Sequence, residues 1–469
     1  ASLFIICGIF SPILSQSYLS PRPIKKLISE KNNFDVNKKD SIRLKNKFKI
    51  FFLEDLYLNN NLPNLENQNG LYTGKGFGSI TSYYLEYDSK YFQLTAQPQL
   101  YQSIDYRIND LAEKPELFSY TNENVINDYS KRQQSQLKNI GFKIKNKFIS
   151  LGFSNWNQWW GPGIHNSLVL SNNSKGFYYY FIKSNGKQNL NKNFNYKFNY
   201  IISKGMKNKL DNNFYLSAAS IDIEYKNLSF GYSRHILSGG YDAIPWNINN
   251  SAVVLFSGQY MKYWDMIDDF YILANFPKSK LKLFFEFGFP NRFFSGKNPE
   301  LYADHALATN FGLRKYGFFN NENIVVGFEY TRLLQGLYYN SISTPNWYDN
   351  YKYNYTTYKG RHWAAHSGPD SDDLLIYGGI IISKKSLIFG INYERHGVTF
   401  HFPPEVKLEF KILASINIKK LSIYLNFENE YLQHFGFVDN NRNVWDETFE
   451  NGSVQRTNTI LFSFEYSLY

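Results

Sequence analysis

Val406-Lys407-Leu408-Glu409-Phe410-Lys411-Ile412-Leu413-Ala414-Ser415-Ile416-Asn417-Ile418 is the stretch on which the fold turns. Val406, Leu408, Phe410, Ile412, Ala414, Ile416 and Ile418 share one parity. Lys407, Glu409, Lys411, Leu413, Ser415 and Asn417 share the other. A period of two places successive side chains on opposite faces of a strand, here one apolar and one largely charged. Leu421, Ile423, Leu425 and Phe427 continue the pattern against Ser422, Tyr424, Asn426, Glu428 and Glu430. Leu281, Leu283, Phe285, Phe287 and Phe289 alternate with Lys280, Lys282, Phe284, Glu286 and Gly288. Phe92, Leu94, Ala96, Pro98 and Leu100 alternate with Gln93, Thr95, Gln97 and Gln99.

In a soluble sandwich the polar face would lie outside. In a membrane barrel the apolar face meets lipid and the polar face lines the lumen. Three features favour the barrel. Many candidate strands run about 9–13 residues, against about 5–6 for globular strands. Their apolar faces are rich in Phe and Tyr, as interfacial girdles require. Charges within strands fall largely on the opposite face, away from lipid. Candidate strands lie at 48–58, 78–87, 91–101, 135–145, 147–156, 175–184, 195–205, 213–225, 228–237, 253–260, 264–276, 280–289, 305–316, 323–334, 373–383, 386–395, 405–418, 421–432 and 455–469. Bacterial single-chain barrels take even strand numbers, so the expectation is a closed, all-β, antiparallel transmembrane barrel of about eighteen strands. Pro98 within a strand pattern marks a candidate bulge. The last strand presents Phe462, Phe464, Tyr466 and Leu468 on one face and ends at Tyr469. This resembles the C-terminal signal of outer-membrane barrels, out of its usual phase.

The 469 residues are 43% hydrophobic and 19% aromatic, with 39 Tyr and 41 Phe. Mean hydropathy is −0.43, which alone reads as soluble. Beyond the first twenty residues nothing approaches the roughly 18 consecutive apolar residues of a membrane helix. Leu3 to Leu14, followed by Ser15-Gln16-Ser17, has the apolar run and small-residue site of a secretory signal; a buried N-terminal strand is the alternative. The chain starts at Ala1 without a basic stretch, so the beginning of that signal is expected upstream. Cys7, the only cysteine, falls inside it, leaving the exported chain without disulfides or cysteine-ligated metal. The expected division is a signal peptide at 1–17, a polar and basic N-terminal extension at 18–45 on the periplasmic side that is a candidate helix, and a barrel at 46–469. Net charge is +11, but Lys and Asn are spread through turns without a localised stripe, which argues against nucleic acid. Attraction to acidic glycans or lipid phosphates is the milder reading.

Asn155-Trp156-Asn157-Gln158-Trp159-Trp160-Gly161-Pro162-Gly163, continuing Ile164-His165-Asn166-Ser167-Leu168-Val169-Leu170-Ser171-Asn172-Asn173, closely resembles the signature of the Wzi capsule-assembly family of outer-membrane barrels. Gly70-Leu71-Tyr72-Thr73-Gly74-Lys75-Gly76 is similar to an early family element, with Tyr-Thr replacing Trp-Gln. Trp347-Tyr348 through Tyr358-Lys359-Gly360-Arg361, then Ser367-Gly368-Pro369, is similar to a later one, and Tyr393-Glu394-Arg395 fits the strand after it. The matches keep their order across roughly residues 60–400. Family members carry a helical bundle at the periplasmic mouth, for which about 30 residues here are too few. The resemblance implies non-covalent, lectin-like holding of capsular polysaccharide, without catalysis.

Candidate polysaccharide contacts are Trp159, Trp160, Asn172, Asn173, Trp347, Tyr348, Arg361 and Trp363, because aromatic rings stack on sugars while amides and Arg bind hydroxyls. The competing reading makes Trp159 and Trp160 structural, one interfacial and one packing the turn. It folds the loop with Tyr351, Tyr353, Tyr355, Tyr358 and His362 into the lumen as a constriction. Gly161, Pro162, Gly163, Asn166, Ser167 and Ser171 are the family-signature positions. Glu286, Glu329, Glu394, Lys407, Glu409, Lys411, Glu428 and Glu430 are expected to project inward, as salt bridges propping the barrel or as a selectivity lining. Asp304 with His305, Asp372 with Asp373, and His362 with His366 come nearest to metal or catalytic pairs, without a third ligand; no metal or cofactor is expected. No GxSxG, HExxH or phosphate loop occurs. The expected function is an exported monomeric outer-membrane barrel that binds surface polysaccharide and helps attach or assemble a capsule, among outer-membrane lipid and lipopolysaccharide. The rivals are a diffusion channel or small-solute transporter, and a barrel enzyme.

Overall fold

A computed structural model of the chain describes residues 22–35, 47–62, 66–71, 73–103, 133–207, 213–239, 265–290, 307–334, 347–348, 353, 356–359, 361–399, 404–435 and 454–468. Eighteen strands form the wall: β1 (Lys47–Asn59), β2 (Gly76–Asp88), β3 (Phe92–Ser103), β4 (Gln133–Lys145), β5 (Ile149–Ser154), β6 (Tyr179–Ser184), β7 (Phe194–Lys207), β8 (Asn213–Tyr225), β9 (Leu228–Gly239), β10 (Asp265–Phe276), β11 (Leu281–Pro290), β12 (Ala308–Phe318), β13 (Asn321–Arg332), β14 (Ser371–Ile382), β15 (Lys385–His396), β16 (Glu405–Ile418), β17 (Leu421–Gln433) and β18 (Val454–Ser467). Each pairs antiparallel with its neighbours in sequence. β1 closes onto β18, from Phe51 opposite Ser467 to Asn59 opposite Thr459. Closure leaves no open edge, which a lipid-exposed sheet requires.

The alternation decides which side each residue faces. In β15 Leu387, Phe389, Ile391 and Tyr393 are exposed outward, while Ser386, Ile388, Asn392 and Glu394 are buried inward. β16 does the same, with Leu408 and Phe410 outside and Glu405, Lys407 and Glu409 inside. Glu465, out of phase with the aromatic face of β18, points into the lumen and meets Lys25 at 3.1 Å. At Pro98 the β3–β4 register shifts, so that Gln97 opposes Asn139 and Pro98 opposes Leu137; the surplus residue, Lys138, lies on the partner strand. Pro98 has no N–H to donate, and the bulge relieves the ladder at that point. The candidate strand at 253–260 and the candidate signal at 1–17 lie outside the described residues.

The eight connections at one rim are at most nine residues long, and every longer connection lies at the other rim. In outer-membrane barrels short turns face the periplasm and long loops the exterior. The N-terminal extension contributes a helix, α1 (Arg22–Asp35), that lies inside the barrel near the short-turn mouth. Ile24 and Leu27, one turn apart on one face, pack against Tyr316, Val325, Leu375, Ile388 and Leu413. These apolar inward positions are exceptions to the polar lumen, and they occur where a helix needs somewhere to bury its stripe.

Candidate functional site

The segment 155–174 leaves the end of β5, enters the lumen, and returns to β6. It has almost no regular structure, so its backbone polar groups need partners elsewhere. The lumen wall supplies them. Glu329 on β13 accepts the consecutive amides of Ile164 (2.7 Å), His165 (3.1 Å) and Asn166 (2.7 Å). Arg314 on β12 donates to the carbonyl of Pro162 at 3.0 Å. From below, Lys26 on α1 donates to the carbonyls of Pro162 (2.9 Å) and Gly163 (2.7 Å). The segment is therefore pinned on carboxylates and cations at the strengths of charge-assisted hydrogen bonds.

This packing explains the Gly-Pro-Gly turn. Gly161 sits at φ +100°, and a Cβ there would lie 2.6 Å from Oε1 of Glu286. A Cβ on Gly163 would lie 2.3 Å from the carbonyl of Asn166 and 2.7 Å from Glu329. Only glycine allows the backbone to approach the wall this closely. Ser167 closes the turn by donating to the carbonyls of Trp160 and Leu170, the latter at 2.8 Å. Ser171 bonds the carbonyl of Ala364, and its amide bonds that of Trp363 at 2.7 Å. Asn173 donates to His362 at 3.0 Å, and the amides of Asn69 and Gly70 bond Asn172 and Asn173. The early, middle and late elements of the family resemblance thus meet in one place.

Beside the turn, Asp373 on β14 is surrounded by donors: Asn166 Nδ2 at 2.7 Å, Asn392 Nδ2, and the Nε2 atoms of His165 and His366, each at 3.2 Å. The two imidazoles stack edge to face at 4.4 Å. His165, His366 and Asp373 offer two nitrogens and an oxygen close enough to hold a metal ion, as does a neighbouring set of Glu66, His366 and Glu394. Burial alone would push the His366 imidazole down; its hydrogen bond to Asp373 and the charges of Glu394 and Asp373 raise it instead. Asp304 and His305 lie outside the described residues.

All eight of the charges expected inside point into the lumen. Lys407 bridges Glu394 at 2.5 Å and also meets Glu66; Lys411 lies 2.7 Å from Glu409, 3.4 Å from Glu66 and 3.9 Å from Glu428. Glu430 adjoins this group. Glu286 accepts from Asn310 at 2.9 Å. On α1, Glu30 meets Arg314 (3.0 Å), Lys282 (3.3 Å) and the hydroxyl of Tyr316 (2.8 Å). Burial would raise the Glu30 carboxyl, but Arg314, Lys282, Lys26 and the Tyr316 hydroxyl lower it to about 2.

The eight residues singled out as polysaccharide contacts are placed inward. Trp347, Tyr348 and Trp363 are at most 2% exposed and share one apolar cluster with Trp160, Leu168, Val169 and Leu170. Tyr348 donates to the carbonyl of Leu168 at 2.6 Å, and burial raises its hydroxyl pKa. Trp159 is half-buried and donates its indole N–H to Gly163 at 3.0 Å. Asn172 and Asn173 are buried, and Arg361 is buried in a two-residue hairpin opposite Tyr358. Tyr351 and Tyr355 lie outside the described residues. Lys26, Glu66, Arg314 and Asn392 were not singled out by sequence reasoning; a lone residue in a polar stretch or strand gives no sign of a partner far away in the chain.

No protein-family model and no curated protein matches the chain. Among solved structures, the fold is similar to that of Wzi, an outer-membrane protein involved in group 1 capsule assembly in Escherichia coli and described as a carbohydrate-binding β-barrel. The TM-score is 0.62 at 11% identity, over 96% of this chain and 92% of that one. Weaker likenesses include OccAB4 of Acinetobacter baumannii (TM-score 0.47, 9% identity, 91% and 99% covered) and OccK3 of Pseudomonas aeruginosa (0.48, 8%, 91% and 96%). The chain has a Wzi-like fold, that of an outer-membrane β-barrel.

Proposed function

We propose that this barrel binds a surface polysaccharide non-covalently through its long-loop end and helps attach or assemble a capsule. The observation that carries the reading is the filled lumen. The segment 155–174, the turn at 361–370 and α1 cross the interior and are held to the wall by Glu329, Arg314, Asp373 and the Lys407–Glu394 network. A braced interior suits a scaffold that holds something at its mouth, whereas a diffusion channel needs a water-filled path. The buried aromatic residues then act as positioning groups. Trp160, Trp347, Tyr348 and Trp363 form one apolar cluster inside the barrel, and the long-loop rim meets the sugar chain. The similarity to a carbohydrate-binding barrel of the same fold supports the reading.

Two measurements on the purified, folded chain test it. Retention on immobilised capsular polysaccharide, with elution by the same soluble polymer, is expected. In planar bilayers the barrel is expected to show no steady conductance. Flow-through on the column combined with stable open-channel currents would instead assign it to diffusion.

A further inference from the structure

The eight turns of one rim carry ten lysines, a charge of a single sign. Of the eight short turns, all but Phe319-Asn320 carry lysine: Lys90, Lys147, Lys226, Lys278, Lys384 and Lys419 stand in six of them, and the 185–193 turn holds two more. None of the eight contains Asp, Glu or Arg. The nearest acids sit on adjoining strands, where Glu224 meets Lys187 at 2.5 Å and Glu322 meets Lys280 at 3.5 Å. At the other rim acids appear: 436–453, for example, has Asp439, Asp446, Glu447 and Glu450 against Arg442, while 155–178 carries only Lys175 and 397–404 no charged residue. A bias in which every turn but one follows the same rule points to something that encircles the barrel.

Three of these lysines lie beside aromatic rings, two of the rings exposed. Lys90 lies 4.9 Å from the Tyr91 ring, Lys147 5.3 Å from Phe148 and Lys226 5.1 Å from Tyr225. Tyr91 is 63% exposed, Phe148 54% and Phe319 88%. Exposed aromatic rings at a barrel rim sit among headgroups, and an ammonium on a long stem beside them reaches the phosphates. A soluble acidic partner would have no use for the outward-facing rings, whereas lipid contacts both at every point of the circumference.

We propose that the short-turn rim is a collar that selects anionic phospholipid headgroups, of the phosphatidylglycerol or cardiolipin class, in the leaflet it meets. Clustered lysines concentrate anionic lipid by surface electrostatics, screened by salt. The collar is independent of the polysaccharide reading, because it lies at the opposite end of the barrel.

The test uses the full chain folded in uncharged detergent, with native mass spectrometry of added phosphatidylglycerol or phosphatidylcholine. Phosphatidylglycerol is expected to bind about tenfold more tightly. Replacing Lys90, Lys147, Lys226, Lys278, Lys384 and Lys419 together by Gln is expected to bring the two lipids within about twofold. In vesicles, a photoactivatable phosphatidylglycerol is expected to cross-link to the peptides around Lys90 and Lys147, which needs no variant to fold. Equal binding of the two lipids, undiminished selectivity in the folded variant, cross-links confined to the long loops, or polyglutamate binding as tight as that of phosphatidylglycerol would each overturn the collar.

Discussion

Lys26 of the lumenal helix and Gly163 of the Gly-Pro-Gly turn are joined by a 2.7 Å hydrogen bond from the ammonium to the backbone carbonyl, although 137 residues separate them. Together with the bond to Pro162, it couples the N-terminal extension to the segment that fills the barrel. A buried hydrogen bond from a charged group contributes about 1.5–3 kcal/mol. Lys26→Ala is therefore expected to loosen both partners. Hydrogen exchange should quicken in 22–35 and 158–166 together while the strand amides stay protected. Acceleration in one segment alone would show that the two are not coupled.

Glu329 is the anchor on the wall. Replacing it by Gln keeps one oxygen but turns an amide N–H₂ towards backbone donors, leaving at least one of three amides without an acceptor. The expected cost is about 2–4 kcal/mol. It should appear as a lower urea midpoint in lipid vesicles, followed by tryptophan fluorescence.

The turn glycines should not tolerate a methyl group. Gly161→Ala combines a positive φ with a contact on Glu286, and Gly163→Ala drives a Cβ into the Asn166 carbonyl. Each is expected to cost about 1–3 kcal/mol or displace the turn. The yield of heat-modifiable, folded barrel should fall in both. Gly186→Ala, whose added Cβ meets nothing within 4 Å, should lose less despite its own φ of +77°.

Glu30 gives the helix a pH dependence of defined sign. Its carboxyl is lowered from 4.5 to about 2 by Arg314, Lys282, Lys26 and Tyr316 against the opposing effect of burial. A depressed folded-state pKa contributes stability that is complete above the unfolded value, near 4.5, and is lost as pH falls through the folded value, near 2. The contribution is on the order of 3 kcal/mol. Exchange protection of 22–35 should therefore decline between about pH 4.5 and 2 in the wild-type chain. In Glu30→Gln it should be weaker at neutral pH and nearly flat across that window.

The barrel was legible in the sequence because alternation is a local signal. Val406 to Ile418 shows its two faces without reference to any other segment, and the structure turns Lys407 and Glu409 inward as that pattern requires. Pro98 announced its bulge, but which strand would carry the surplus residue depended on the pairing with Lys138's strand. The α1 helix had a short apolar stripe at Ile24, Leu27 and Ile28, too brief to say that it would lie inside the barrel. The plug was least legible. Its residues have no periodicity, and their partners, such as Glu329 for Ile164 and His366 for Asn166, lie 165 and 200 residues away. Trp347, Tyr348, Tyr353 and Trp363 allowed two readings in the sequence, a sugar-facing surface or a loop folded into the lumen. Their burial follows from docking onto Leu168 to Leu170, a contact that exists only once the plug has formed.

The central claim, that the barrel holds polysaccharide on the cell surface, is tested most directly by deleting the gene and measuring cell-bound and shed polysaccharide. Complementation with the full chain and with Glu329→Gln completes the experiment. Shedding is predicted to rise on deletion, to be reversed by the wild-type chain, and to be reversed less well by the variant. Unchanged surface retention after deletion would contradict the account.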